Sequence, residues 1–140
     1  MRFLIDTNVL SEGTRPVPDQ RVATWLRAQS PLDLAISVIT LGEVERGIEL
    51  LPVGRQRAAL ESWISKDLPL QFQGRVLLVD EAVAREWGRL TVRSRSSGRH
   101  LPVVDGLLLA TASVHGLTLV TRSESDCAAR GVPVLNPWRE

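Results

Sequence analysis

The sequence of 140 residues is short of cysteine, which excludes two ways of stabilising a small protein. Cys127 is alone, so no intrachain disulfide can form and no cysteine cluster is available to bind zinc. Because 44% of the residues are hydrophobic, we expect one packed core in a single domain that spans residues 1–140. The single cysteine also fits a reducing compartment inside the cell.

Apolar runs long enough for export or membrane insertion are also missing. Only three apolar residues separate Arg2 from Asp6, far short of the core of a secretory signal. The apolar stretch around Leu107 contains the charged Asp105 and is too short to cross a bilayer. We therefore expect a cytoplasmic protein with no membrane partner.

Motifs for ATP hydrolysis and acyl transfer are absent as well. No Gly-rich phosphate loop with a following lysine is present, so a kinase or ATPase mechanism lacks its main part. No nucleophile elbow is present either, and acyl transfer therefore has no support. The formal net charge of +1 excludes a strongly basic coat for nucleic acid, although clustered charge can still form a local patch.

A row of arginines is the clearest candidate for such a patch. Arg85, Arg89 and Arg93 recur every fourth residue, and the run continues through Arg99 toward Asp105. The row can grip a nucleic-acid backbone, or it can be the solvated face of an ordinary amphipathic helix. The sequence leaves both interpretations open. We take Arg93 and Arg99 as candidate substrate contacts because they lie close in sequence to Asp105.

Strands and helices alternate along the chain. Apolar runs predict strands over residues 2–6, 34–37, 76–79, 117–121 and 132–135. Helical spacing predicts helices over residues 19–28, 38–51, 55–66, 81–94 and 102–115, and a cluster of turn-forming residues predicts a surface loop over 13–18. This alternation indicates an α/β sandwich with a central, mainly parallel sheet of four to five strands.

Asp6 lies where a ligand site is expected. It directly follows the first predicted strand, and ligand sites in open α/β sheets lie beyond the carboxyl ends of the strands. An aspartate at this position is also a good N-cap for a helix that begins near Thr7 or Asn8. The sequence leaves both roles open.

Glu43 falls on the mainly apolar arc of the predicted helix 38–51 when residues are placed at about 100° each. A carboxylate buried there needs a partner or a cation, because an isolated buried charge costs several kcal/mol. The alternative is a capping box, in which Thr40 stands three residues earlier near the helix start.

Asp105 is the only residue with a formal charge at neutral pH between residues 101 and 121. Its neighbours are mostly apolar, which predicts a helix buried on nearly all sides. A first-turn aspartate is also favoured by the helix dipole, by roughly 0.3–1 kcal/mol. The dipole explains the position of Asp105 but not its surroundings.

A fourth acid, Asp126, follows the strand predicted over 117–121 by a short loop and can reach the same crevice. It can equally cap a helix that starts at Cys127. Arg122 and Ser123 lie still closer to the strand end, where they can contact a substrate or the acids.

Three carboxylates brought together at this edge would need a cation. At a separation of about 4 Å each pair repels by about 4 kcal/mol at an effective dielectric near 20. Hard oxygen ligands without histidine or thiolate suit Mg²⁺ or Mn²⁺ rather than zinc. An ion of this kind activates water and offsets charge on a phosphodiester, so hydrolysis of nucleic acid is the predicted chemistry.

Five segments, in chain order, resemble VapC-type PIN-domain toxins. They are residues 4–9 (LIDTNV), 37–43 (SVITLGE), 104–106 (VDG), 119–122 (LVTR) and 135–138 (LNPW). The resemblance implies a PIN-like three-layer α/β/α sandwich. It also implies an endoribonuclease that uses Mg²⁺ or Mn²⁺, forms a homodimer and is neutralised by a cognate antitoxin. By the same resemblance Asp6, Glu43 and Asp105 bind the metal and act in catalysis, with Thr7 and Asn8 beside the substrate.

The chain departs from the family pattern at two positions. Many members have Asp or Asn after the Thr-Arg pair, whereas Ser123 stands here. Asp126, which matches another acidic position common in the family, can replace that fourth group directly or through water. If neither residue serves, a second metal would bind more weakly. Cys127 stands where an aromatic residue is usual, which is a change in packing.

Two further functions fit the same residues. One is a structure-specific DNA nuclease, which the sequence does not separate from a ribonuclease. The other is a non-catalytic binding module in which the acids cap helices and the arginines bind a partner. Binding of Mg²⁺ separates this last function from the other two, because a bound ligand stabilises the folded protein.

Overall fold

A five-stranded sheet lies at the centre of the protein, whose computed structural model describes residues 1–140. Its strands are β1 (Phe3–Ile5), β2 (Leu34–Ser37), β3 (Val76–Leu77), β4 (Thr118–Val120) and β5 (Val134–Leu135). They lie in the order β3-β2-β1-β4-β5, and every neighbouring pair is parallel. The predicted parallel sheet is therefore confirmed. Only β2 has its predicted length. The other four strands are shorter, because their outermost predicted residues lie in loops and not in the hydrogen-bonded sheet.

The helices join the strands in sequence. They are α1 (Thr7–Glu12), α2 (Gln20–Ala28), α3 (Val38–Glu49), α4 (Arg55–Ser62), α5 (Leu68–Gln71), α6 (Glu81–Ser96), α7 (Val103–His115) and α8 (Glu124–Cys127). The predicted helices are found, mostly within two residues of their expected ends. The one-turn helix α8 and the short α5 were not predicted, because single turns carry no periodic apolar pattern.

The helix predicted over residues 55–66 does not end there. After α4 the backbone makes a wider π-helical turn over Trp63–Asp67 and then continues as α5. Pro69 in α5 has no backbone N–H, so it cannot donate to the carbonyl four residues earlier, and its ring crowds that carbonyl. The wide turn relieves this crowding and lets the helical segment reach Gln71.

Two hydrophobic cores lie on opposite faces of the sheet. On β1 the side chains of Phe3 and Ile5 belong to one core, and that of Leu4 belongs to the other. The period of two follows from the alternation of side chains along a strand. Helices α1 to α5 cover the first face, and α6 and α7 cover the second. The result is a three-layer α/β/α sandwich.

The carboxyl ends of β2, β1 and β4 lie side by side because these three neighbouring strands are parallel. Asp6 and Thr121 directly follow β1 and β4, and α3 directly follows β2. Helix α7 returns the chain to the start of β4, so the first turn of α7 lies at the opposite edge, where the strands end. No helix in the structure has the length and hydropathy of a membrane-spanning segment.

Candidate active site

Asp6 is held by two hydrogen bonds at the carboxyl end of β1. Its Oδ1 accepts the backbone N–H of Thr7 at 2.6 Å, and its Oδ2 accepts the hydroxyl of Thr121 at 2.5 Å. Asp6 is 5% exposed, and burial raises its pKa above the ordinary value, against the effect of the two hydrogen bonds. It is the N-cap of α1, so the capping role left open by the sequence is confirmed. That role leaves further lone pairs on both oxygens for a ligand.

Glu43 lies in the middle of α3 and faces the same crevice. Its Oε1 accepts the hydroxyl of Thr7 at 2.5 Å, and its charge contributes to the raised pKa of Asp6. The capping box with Thr40 is wrong. The N-cap of α3 is Ser37, whose hydroxyl accepts the N–H of Ile39 at 3.0 Å. Glu43 therefore lies too far along the helix to reach the N-cap residue. The Thr40 hydroxyl is buried and without a partner.

Asp105 stands in the first turn of α7, partly buried, and accepts no hydrogen bond and forms no ion pair. Burial is the main reason that its pKa is raised to about 6. Repulsion from Asp6, Asp126 and Glu43 adds to the rise, and Arg130 opposes it. The four acids are therefore electrostatically coupled, and Asp105 carries the charge that the protein compensates least.

The helix that carries Asp105 packs closely against α6. A Cβ atom added to Gly106 would lie 3.1 Å from two indole atoms of Trp87 and 3.3 Å from Leu101. Only a residue without a side chain lets the first turn of α7 approach Trp87 so closely. The burial predicted for α7 is largely confirmed, except at Val103 and Val114, which are exposed.

Asp126 lies inside the one-turn helix α8 and is exposed. The interpretation that it caps a helix starting at Cys127 is wrong, because α8 begins at Glu124. Asp126 still lies near enough to Asp105 to raise the pKa of that residue. Ser123 precedes α8, and its backbone N–H donates to the Thr121 hydroxyl at 3.0 Å.

Comparison with known proteins identifies the family of this chain. The profile of the PIN domain matches residues 3–128, which is most of the chain. The chain belongs to the PIN-domain family. It is similar to Toxin FitB of Neisseria gonorrhoeae, with 36% identity over 138 residues and 99% of both chains covered. It is also similar to the VapC ribonuclease Y4jK of Sinorhizobium fredii, with 33% identity over 136 residues and 97% of both chains covered.

A solved structure gives the same result for the fold. The crystal structure of FitAcB from Neisseria gonorrhoeae matches this PIN domain with a TM-score of 0.94 and 36% identity, and 99% of both chains is covered. The PIN-like three-layer sandwich is thereby confirmed. The resemblance to VapC-type PIN toxins of toxin–antitoxin systems, which rested on five short segments, is confirmed by the two relatives along almost the whole chain.

At the edge of the PIN crevice, Arg122 is held in place by two contacts. Its guanidinium lies over the ring of Trp138, 4.9 Å from the ring centre, and its backbone N–H donates to Oδ1 of Asn8 at 3.3 Å. The stacking is a cation–π contact, which orders a long and otherwise mobile side chain. The structure thus brings Asn8 and Arg122 together beside Asp6.

The arginine row of α6 is mostly paired with acids of its own helix. Oε1 of Glu86 lies 3.2 Å from Nε of Arg89 and 3.7 Å from Nη2 of the exposed Arg93. Oε2 of Glu81 lies 3.8 Å from Nε of Arg85. This favours the interpretation of an ordinary solvated helix face. Arg99 is different, because its guanidinium donates to two backbone carbonyls of the α8 region.

Two residues of the site escaped the sequence analysis. Thr121 belongs to a predicted strand and to the family-like segment 119–122, but neither assigns it a role. Its position opposite Asp6 follows once β1 and β4 are paired with Ile5 beside Val120. Arg130 gave no signal at all, since an arginine between Ala129 and Gly131 is expected to be solvated. In the structure it is 8% exposed.

The oxygen donors of the site fit a hard divalent cation, but they are not gathered into a finished cage. No group of three or more His, Cys, Asp or Glu side chains is close enough to hold a metal ion. The tight cluster of three carboxylates supposed in the sequence analysis is therefore not formed in this arrangement. Thr7 links two of the acids, through its backbone N–H to Asp6 and its hydroxyl to Glu43, while the Thr121 hydroxyl bonds Asp6 alone. The unpaired Asp105 carboxylate among three other acids is the feature that fits Mg²⁺ or Mn²⁺.

Proposed function

We propose that this PIN toxin is a divalent-metal-dependent endoribonuclease, with Mg²⁺ or Mn²⁺ as the metal and RNA as the substrate. The similarity to a protein named VapC ribonuclease supports the class of reaction. The observation that carries the proposal is Asp105. A partly buried carboxylate with no hydrogen-bond donor and no ion pair, repelled by three acids, makes a strong site for a cation.

Asp6, Glu43 and Asp105 are the proposed metal ligands and catalytic acids. Thr121 and Thr7 fix the orientation of the Asp6 carboxylate, and Thr7 also orients Glu43. A bound metal ion would supply an activated water and would offset the charge that develops on the scissile phosphate. Asp126 lies at the open side of the cluster, where it can hold water. Ser123 stands beside it with no hydrogen bond from its side chain.

The substrate contacts are proposed at the rim of the crevice. Arg122, stacked on Trp138, offers a guanidinium to a backbone phosphate, a geometry that arginine suits well. Asn8 and Thr7 line the adjacent wall. Arg93 is exposed and only weakly paired, so it remains available to a longer strand of RNA. The carbonyl contacts of Arg99 favour another role for that residue.

Cleavage assays with a matched pair of variants test the proposal. Glu43→Gln and Glu45→Gln remove one carboxylate each from the same helix, but Glu45 is exposed and lies outside the cluster. We expect Glu43→Gln and Asp105→Asn to lower RNA cleavage by about a hundredfold or more and Glu45→Gln to leave it unchanged. The assay compares RNA with DNA of the same sequence, each with Mg²⁺, Mn²⁺ or EDTA. Cleavage of DNA alone, cleavage in EDTA, or full activity of Asp105→Asn would contradict the proposal.

As a toxin of a toxin–antitoxin system, the chain is also proposed to act as a homodimer that a cognate antitoxin neutralises. The support is the toxin named among its relatives. Expression of the wild-type chain alone should stop growth, co-expression of the antitoxin should restore it, and Asp105→Asn should be harmless in both cases.

A further inference from the structure

Two arginines connect the segment before α7 to the segment that carries Asp126. Arg99 follows α6, and it donates from Nη1 to the carbonyl of Ala128 at 2.8 Å and from Nη2 to that of Ser125 at 2.7 Å. Arg130 follows α8 and reaches in the opposite direction, from Nη2 to the carbonyl of His100 at 2.9 Å. Each segment therefore holds the other through a guanidinium. We call these three hydrogen bonds the arginine clamp.

Arg130 also holds the turn to which it belongs. Its Nε donates to the carbonyl of Asp126 at 2.6 Å, four residues earlier. The backbone of Asp126 is thus fixed by Arg130, and the carbonyls on either side of it, at Ser125 and Ala128, are fixed by Arg99. The short helix α8 has two internal backbone hydrogen bonds, from Cys127 to Ser123 and from Ala128 to Glu124, so these three contacts and the burial of Cys127 together hold Asp126 in place.

The backbone conformation beside the clamp supports this assignment. Ala129, between the Ala128 carbonyl and Arg130, has φ of 60°, and it is the only residue other than glycine with a positive φ. Such a conformation is strained for an alanine and persists where the surrounding structure determines it. The bonds of Arg99 and Arg130 are the contacts that hold the backbone on both sides of Ala129.

Arg130 is a buried arginine that lies near the acids of the site. Its Nη1 is buried without a hydrogen-bond partner, and the whole residue is 8% exposed. A buried guanidinium with a bare N–H group is costly unless negative charge lies nearby. Asp126 and Asp105 supply part of that charge, although burial and repulsion from Arg99 outweigh it and lower the pKa of Arg130.

We propose that Arg99 and Arg130 are positioning residues for the nuclease reaction, which act by fixing the distance between Asp126 and Asp105. The inference rests on the proposed function. It replaces the earlier assignment of Arg99 as a substrate contact, since the guanidinium of that residue is already engaged with two carbonyls. In this role the two arginines would act through the backbone around Asp126, without contact to the scissile phosphate or the attacking water.

Three lysine variants separate positioning from general stability. Arg99→Lys and Arg130→Lys keep the positive charge but lose the forked contacts with carbonyls. Arg75→Lys is the matched control, because Arg75 likewise donates to three carbonyls, of Leu34, Gln71 and Gln73, at the other side of the sheet. We expect the first two to lower kcat for RNA about tenfold or more with KM within about twofold, and the control to leave kcat unchanged.

A double-mutant cycle tests whether the arginines act through Asp126. Asp126→Asn alone should lower kcat, and Arg99→Lys in the Asp126→Asn background should lower it by less than about twofold further, since the positioned group is already gone. An equal loss in both backgrounds would overturn the inference. Wild-type values of kcat for Arg99→Lys, or an equal fall for Arg75→Lys, would overturn it as well. If the buried Arg130→Lys does not fold, the less buried Arg99→Lys decides alone.

Hydrogen exchange gives a measurement that does not depend on cleavage. In Arg99→Lys the amides of residues 122–131 should exchange faster, while those of the α7 core should be unchanged. Unchanged exchange over 122–131 would overturn the clamp. A wild-type protein that cuts no RNA with Mn²⁺ would instead overturn the proposed function, and the inference with it. Normal cleavage by wild type and by Arg99→Lys would overturn the inference alone.

Discussion

Replacing Asp105 by asparagine is expected to stabilise the metal-free protein. The pKa of Asp105 is about 6, against an ordinary value of 3.8. At 1.36 kcal/mol for each factor of ten in the acid dissociation constant, this difference means that the charged form destabilises the folded protein by about 3 kcal/mol. Asp105 is only partly buried, so solvent screening reduces this to about 1.5 kcal/mol. Asparagine also loses about 0.5 kcal/mol of interaction with the α7 dipole. The expected gain is therefore about 1 kcal/mol at pH 7.5, or about 3 °C in Tm for a chain of this size.

The sign of the pH dependence follows from the direction of the pKa change. Because the folded-state pKa is raised, the native protein binds more protons than the unfolded chain between pH 4 and pH 6. The stability of the wild type should therefore fall as pH rises through this window. Asp105→Asn lacks the titrating group, so its advantage should be full above pH 6 and should vanish near pH 4.

Thermal unfolding followed by circular dichroism, in EDTA and in Mg²⁺, tests the prediction. In EDTA at pH 7.5 Asp105→Asn should melt above wild type, and in saturating Mg²⁺ the order should reverse, since a ligand at 100 times its Kd adds about 2.7 kcal/mol to wild type. Asp67→Asn, at an exposed acid without a partner, is the control and should change stability by less than about 0.5 kcal/mol. A variant less stable than wild type in EDTA, or equal stabilisation of both by Mg²⁺, would refute the reasoning.

Two further predictions concern the packing around the site. Gly106→Ala should lower the free energy of unfolding by about 1 kcal/mol and slow RNA cleavage, because contacts of 3.1 Å with the rigid Trp87 indole outweigh the better helix propensity of alanine. A stabilised Gly106→Ala protein, measured by urea unfolding, would show that Trp87 moves aside freely. Cys127, fully buried with a pKa raised to about 12 mainly by burial, should resist iodoacetamide at pH 8 in the native protein and react in urea. Rapid native labelling detected by mass spectrometry would contradict this.

The fold could be predicted from the sequence because its signals are local. The five strands are short apolar runs that alternate with helices, most of which have clear periodicity, and a parallel sheet is the ordinary solution for such a pattern. The errors lie where the pattern carries no information. A single turn such as α8 has no period, and the π-helical turn before α5 follows from Pro69, whose effect on the preceding residues depends on what packs around them.

The site was predictable only in part, because the sequence shows which charges are out of place but not what holds them. Asp105 stood out as an isolated charge in an apolar segment, and the structure gives it no partner. The partners of Asp6 and Glu43 are hydroxyls, which carry no charge pattern and were invisible until the strands were paired. Arg130 was missed for the opposite reason, since nothing in the sequence distinguishes a buried arginine from a solvated one.

The distribution of partners within the cluster bears on which acid the proposed metal would need most. Both oxygens of Asp6 and one of Glu43 accept hydrogen bonds from Thr7 and Thr121, which partly offset the cost of these charges, although burial still raises the pKa of Asp6. Asp105 receives none, and Arg130 offsets only part of the burial and repulsion that raise its pKa. In the proposed nuclease a divalent ion would therefore gain little by replacing contacts that already exist and much by neutralising Asp105. It follows that metal affinity should depend more steeply on Asp105 than on Glu43, although both are acids of the same site.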